Sequence, residues 1–214
     1  MFAKLYRAAA EKLLGSLGGQ PGLSEEFLEQ TEEGLGLRLP LALRDYYVAV
    51  GALRDLNDAH DQLLGPANWF VDAGKLAFMV ENQAVVYWGV EATERPNADP
   101  PVFLGVNAKP IEWHPTHDRC SEFLLVMMHW QAVCGGLEFL GMAEAGGKTV
   151  KHFEQEWRRV GEVEGLLAFC REGQAACFMG EGDARQLYVG GRSEEELERV
   201  AGELAGIGVR LDHL

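Results

Sequence analysis

Two periods run through the chain. Over residues 2–17 apolar side chains recur at steps of three and four (Phe2, Leu5, Tyr6, Ala9, Leu13, Leu17), which predicts an amphipathic helix stopped by Gly18-Gly19. Ser24 can cap a second helix, with Glu25 and Glu26 in its first turn and Phe27, Leu28 and Thr31 before Gly34. Leu39-Pro40 opens a third, whose Leu43, Tyr46, Tyr47 and Val50 share one face ahead of Gly51. From Leu76 the period changes. Leu76–Val80 and Ala84–Val90 are rich in β-branched and aromatic residues and too short for a globular helix. They flank Glu81-Asn82-Gln83 and predict two strands with a tight connection.

A turn from Glu91 to Pro101 leads to a third strand, Val102–Val106, and Pro100-Pro101 lie before it because proline cannot donate to a ladder. Ser121 is positioned to cap a strong helix, Glu122–Cys134. Its Phe123, Leu124, Met127, Met128 and Trp130 cover most of the circumference, so it should be buried on more than one side. Residues 141–165 are less patterned, with Val150, Phe153 and Trp157 suggesting a short helix. Leu166–Cys170, Ala175–Met179 and Gln186–Val189 then read as a meander, Ser193 caps a helix over Glu194–Ala205, and Ile207–Leu211 is a candidate last strand. Without repeats or a low-complexity linker, residues 1–214 read as one α+β domain.

Charge changes the picture most. The 33 acidic and 19 basic residues leave −14, a field that repels phosphate backbones and anionic lipid and attracts basic partners. Nucleic acid and membrane surfaces are therefore disfavoured as partners. No apolar run approaches the roughly 20 residues of a bilayer span, and Arg7, Glu11 and Lys12 interrupt any signal-peptide-like start. Cys120, Cys134, Cys170 and Cys177 form no CxxC pair, and there is no Asn-x-Ser/Thr acceptor. A reduced, cytoplasmic setting is expected.

Chemistry-bearing motifs are sparse. Gly141-Met-Ala-Glu-Ala-Gly-Gly147-Lys148-Thr149 resembles a phosphate-binding loop, but five residues stand where four are needed between the first glycine and Gly-Lys-Thr. The curl of backbone N–H groups round a phosphate depends on that interval. His114, His117 and Cys120 could ligate zinc or serve catalysis, yet Pro115 excludes the helical pairing of zinc hydrolases and no partner cluster follows. A polar loop is the plainer reading, and no metal or cofactor is expected. There is no Gly-x-Ser-x-Gly. The irregular stretch 52–68, with Asp55, Asp58 and Asp61 around Asn57 and His60, is either a recognition loop or a solvated connection.

Several segments resemble the SUKH superfamily, which includes bacterial immunity proteins and a fungal regulator of cell-wall synthesis. They are Leu39-Pro40 opening a helix that runs through Tyr46-Tyr47 to Gly51, Glu81-Asn82-Gln83 between two strands, Tyr87-Trp88-Gly89, Asp99-Pro100-Pro101-Val102, Trp113, and Ser121-Glu122-Phe123-Leu124. Their order spans residues 39–134, and 166–214 resembles the extension of longer members. The resemblance implies a central, mainly antiparallel sheet with helices packed around it. It also implies a non-enzymatic protein that binds and neutralises a cognate toxin, often a nuclease, with regulatory scaffolding as the alternative. The family supplies no catalytic residues. For contact with a basic toxin the expected residues are Asp55, Asp58, Asp61, Glu91 and Glu94, taken as exposed and clustered beside the central strands. The oligomeric state stays open.

Overall fold

A helical N-terminal segment gives way to strands where the apolar period shortens. The computed structural model describes residues 1–180, 182 and 184–214. Its first half runs α1 (Phe2–Leu14), α2 (Glu25–Leu35), α3 (Leu41–Val50), the one-turn α4 (Arg54–Asn57), β1 (Gln62–Leu63), β2 (Phe70–Asp72), β3 (Lys75–Val80), β4 (Val86–Glu91), β5 (Val102–Val106) and β6 (Glu112–His117). The second half continues with α5 (Cys120–Gln131), β7 (Phe139–Ala145), α6 (Gly147–Glu156), β8 (Arg158–Val163), β9 (Leu166–Arg171), β10 (Gln174–Met179), β11 (Arg185–Gly191), α7 (Glu194–Gly206) and β12 (Asp212–His213). The class is α+β with antiparallel pairing throughout, and the strands divide between two sheets rather than one.

The first sheet has the order β1-β3-β4-β5-β6, with β2 following β1 along the same edge of β3. The second has the order β12-β7-β11-β10-β9-β8. Helix α5 lies between the sheets. Phe78 and Trp88 of the first sheet, Phe123 and Met127 of α5, and Ala168 and Cys177 of the second belong to one continuous apolar core. Alternation explains how the second sheet is buried on both faces. Leu166, Ala168, Ala175 and Cys177 face that core, while Leu167, Phe169, Ala176 and Phe178 face a second one beneath α6 and α7.

Local signals read from sequence recur as geometry. The Ser24 hydroxyl accepts from the Phe27 N–H at 3.2 Å, and Ser193 with Glu196 forms a reciprocal capping box. Pro40 and Gly51 bracket α3, and β9, β10 and β11 are a meander. Other expectations need correction. Helix α1 ends at Leu14 because Gly15 takes φ +83°, three residues before the Gly18-Gly19 pair. Ser121 is not the cap of α5. It sits inside the first turn, where its N–H and hydroxyl donate to Asp99 at 2.7 and 2.6 Å, so the cap comes from the distant Asp-Pro-Pro turn.

Residues 112–117, expected as a loop, form β6. Trp113 is the reason: its ring lies across Gly89 and Gly105, where added Cβ atoms would come within 2.9 Å of it, and its indole N–H donates to Asp72 at 3.0 Å. The expected strand 207–211 is instead mostly the closing turn of α7, with Val209 N–H donating to the Leu204 carbonyl at 2.9 Å and β12 displaced to 212–213. Strands β7 and β8, flanking α6, went unread because their alternation is broken by Gly141 and by a bulge between Arg159 and Gly161.

Candidate functional site

Where the sheets diverge, a cleft of about 270 Å³ opens beside α5. Its floor is aromatic: Phe123 and Trp130 on α5 meet Trp88 on β4. Val163, Glu164 and Leu166, at the β8–β9 connection, make the facing wall. Val163 pairs with Leu166, so Glu164-Gly165 is a two-residue hairpin turn, with φ of +47° and +78°. That turn places the Glu164 carboxylate at the mouth. His60, Asp61 and Glu81 form the opposite rim.

A buried glutamine builds that rim. Gln131, the last residue of α5, accepts the His60 N–H at 2.7 Å and donates its amide to the Asp61 carbonyl. Both bonds span some seventy residues of sequence and fix the chain as it enters β1. The Asp61 carboxylate accepts from the Asn82 N–H at 3.2 Å, tying this segment to the β3–β4 turn. Asn82 also reaches the His60 ring at 3.1 Å, and Glu81 accepts from Gln83 and Val85 N–H groups within its own turn. The His60 ring stands edge-on to Trp130 at 5.5 Å, and Trp130 stands edge-on to Tyr188 of the second sheet at 5.1 Å. Trp130 thus joins the rim of one sheet to the strands of the other.

The electrostatics follow from burial. Asp61 is only 3% exposed, and loss of water raises its carboxyl above the ordinary range; Glu81 adds to the rise, while His60, the Asn82 N–H and Trp130 oppose it. Carboxylates at the rim of an aromatic-lined cleft suit a cation, which gains Coulomb attraction where water is partly excluded.

The five residues expected to contact a partner do not form one patch. Asp55 and Asp58 are exposed on α4 and just after it, on the segment leading to His60, with Asp58 paired to Arg54 at 3.0 Å. Asp61 is a correction: it is buried in the cleft wall, not presented on an open loop. Glu91 and Glu94 are exposed at the other end of the β3–β4 hairpin, where Glu91 stands opposite Lys75. Asp61 contacts the turn end of that hairpin, so roughly 17–20 Å of strand separates the two groups.

His114, His117 and Cys120 do not assemble. His114 is exposed on β6, His117 lies 3.5 Å from Glu122, and Cys120 is sealed in the core, where burial drives its thiol far above the ordinary range. Cys134 is pushed up to about 12 by burial and by Asp61. Among the described residues, no three His, Cys, Asp or Glu side chains converge to hold a metal ion. The Gly-Lys-Thr stretch starts α6 directly after β7, with Thr149 buried, so there is no loop to curl round a phosphate. No helix among the described residues is long and apolar enough to cross a membrane.

Sequence reasoning missed Trp130, Gln131 and Glu164 as site residues. Gln131 carried a signal, being a polar residue at the end of a helix whose Phe123–Met128 run is wholly apolar. Glu164 carried one too, with Gly165 directly before the apolar run Leu166–Cys170. Comparison with protein-family models, with curated proteins and with solved structures finds no match to this chain.

Proposed function

We propose that this protein is a non-enzymatic immunity protein of the SUKH-like class, which holds a basic protein toxin stoichiometrically and needs no cofactor. The observation that carries the reading is the cleft. Asp61, Glu81 and Glu164 surround a floor of Trp88, Phe123 and Trp130, a receptor for a lysine or arginine side chain projecting from a partner. A nuclease toxin needs a basic face for its phosphate substrate, and a chain of charge −14 is drawn to such a face at long range. Asp55 and Asp58 extend the negative surface from the rim, and Glu91 and Glu94 belong to a more distant part of it. The family resemblance over residues 39–134 points the same way, and the cytoplasm is where such a protein would meet its target.

The test is binding to a toxin domain, sought first among the products of the neighbouring genes. Asp55, Asp58 and Glu164 reversed together to lysine should slow association about tenfold at low salt and flatten its salt dependence. Glu91→Lys with Glu94→Lys should change the rate less than about twofold. Equal effects from both variants, or none from either, would remove the cleft as the contact. A genome without a neighbouring secreted toxin gene would favour the regulatory reading instead.

A further inference from the structure

The opposite face of α5 borders a second hollow, and its chemistry is inverted. This groove of about 100 Å³ lies between α1, α5 and the β8–β9 edge. Leu5, Ala8, Ala9 and Leu125 give it an apolar wall, and Lys12, Arg158 and Arg159 rim it. Arg159 is paired with Glu162 at 2.8 Å, but among the described residues no carboxylate lies within 4 Å of Lys12 or Arg158. Among the described residues, two cations without a carboxylate partner beside one cavity are a local reversal of charge in a chain with 33 acids.

A buried imidazole completes the groove. His129 is 2% exposed, and its Nδ1 stands 2.7 Å from the Leu125 carbonyl. A carbonyl can only accept, so Nδ1 carries the proton and Nε2 of the neutral ring is an acceptor. That nitrogen has no hydrogen-bond partner among the described residues, and His129 lines the groove. The nitrogen is left free to accept a hydrogen bond from a ligand or from solvent in the groove.

We infer that this groove binds a small organic anion with an apolar body and one hydrogen-bond donor. The anionic group sits at Lys12 and Arg158, the body lies against Leu5, Ala8, Ala9 and Leu125, and the donor reaches His129 Nε2. The small volume takes a metabolite-sized molecule rather than a peptide. Burial, with Arg158 and Lys12 nearby, lowers the His129 pKa to about 4, so the ring stays a neutral acceptor at physiological pH. Arg159 and Cys170 also face it from β8 and β9. The inference is independent of the toxin reading, because the two hollows occupy different faces of α5.

Titration of the intact protein with 4-hydroxybenzoate, benzoate, p-cresol and sodium sulfate, followed by calorimetry and by the ¹⁵N signals of the histidine rings, tests it. 4-Hydroxybenzoate should bind most tightly and shift the His129 Nε2 signal. Benzoate, lacking the donor, should bind about fivefold more weakly, and p-cresol and sulfate about tenfold or more. Lys12→Gln with Arg158→Gln, both changes at the groove edge, should weaken 4-hydroxybenzoate at least about tenfold while leaving toxin binding intact. Sulfate binding as well as 4-hydroxybenzoate would overturn the proposed ligand class. Failure of every probe to move the His129 signal at millimolar concentration would overturn the site.

Discussion

Two hollows share one helix and differ in almost everything else. On one face of α5, Phe123, Met127 and Trp130, at steps of four and three, floor a cleft rimmed by carboxylates. On another, Leu125 and His129, one turn apart, wall a groove rimmed by cations. Each hollow holds a buried titratable group, and the two are displaced in opposite senses by the same cause. Loss of water disfavours the charged form, which raises the acid Asp61 and lowers the base His129. A net charge of −14 therefore describes the far field of this protein and says nothing about the sign inside a particular cavity.

The comparison can be broken most forcefully at Trp130. This indole is 6% exposed and touches His60 on one side and Tyr188 on the other, so it joins the two sheets. Trp130→Ala should cost about 3–5 kcal/mol in urea unfolding. Leu125→Ala, at the half-buried groove wall, should cost less, and the reverse order would show that the groove, not the cleft, is the structural joint.

Next in size is the acid limb of stability. His129 is fully buried and titrates near 4 in the folded chain against 6.5 unfolded, so the unfolded state binds more protons between those values. Its contribution is complete above pH 6.5 and is lost as pH falls towards 4, by roughly 3 kcal/mol. Unfolding curves of the wild type and of His129→Gln across that window should diverge in slope, the variant being flatter; parallel curves would mean the ring is not held neutral.

Asp61 should show the smallest effect, and the opposite sign. Its folded pKa lies above the ordinary value, so the folded state keeps its proton longer than the unfolded one. That contribution is full below the unfolded pKa and is lost as pH rises through the folded pKa. Asp61→Asn should therefore gain stability relative to wild type as pH increases from about 4. A relative loss over the same range would mean that His60, Asn82 and Trp130 outweigh burial.

How far the chain was legible depends on the range of the interaction. Ser24 and Ser193 cap within three residues, and sequence alone placed them correctly. Asp99 capping α5 across twenty-two residues was invisible, and Ser121 was given its role. Trp113 makes a strand of a polar segment because two glycines on neighbouring strands leave room for its ring. Asp61 read as exposed because it stands among Asp55, Asp58 and His60 in a polar stretch. Its burial is decided by Gln131, seventy residues away.

Period and capping thus settled, from the residues alone, most of the helices and strands and the apolar positions that face a core, since these depend on neighbours along the chain. The division of strands between two sheets, the two charge-opposed hollows and the burial of Asp61 and His129 were decided only by the tertiary structure. Loop closure brings distant segments together through partners that a local repeat does not name. A period says which side of an element faces inward; it does not say what waits there.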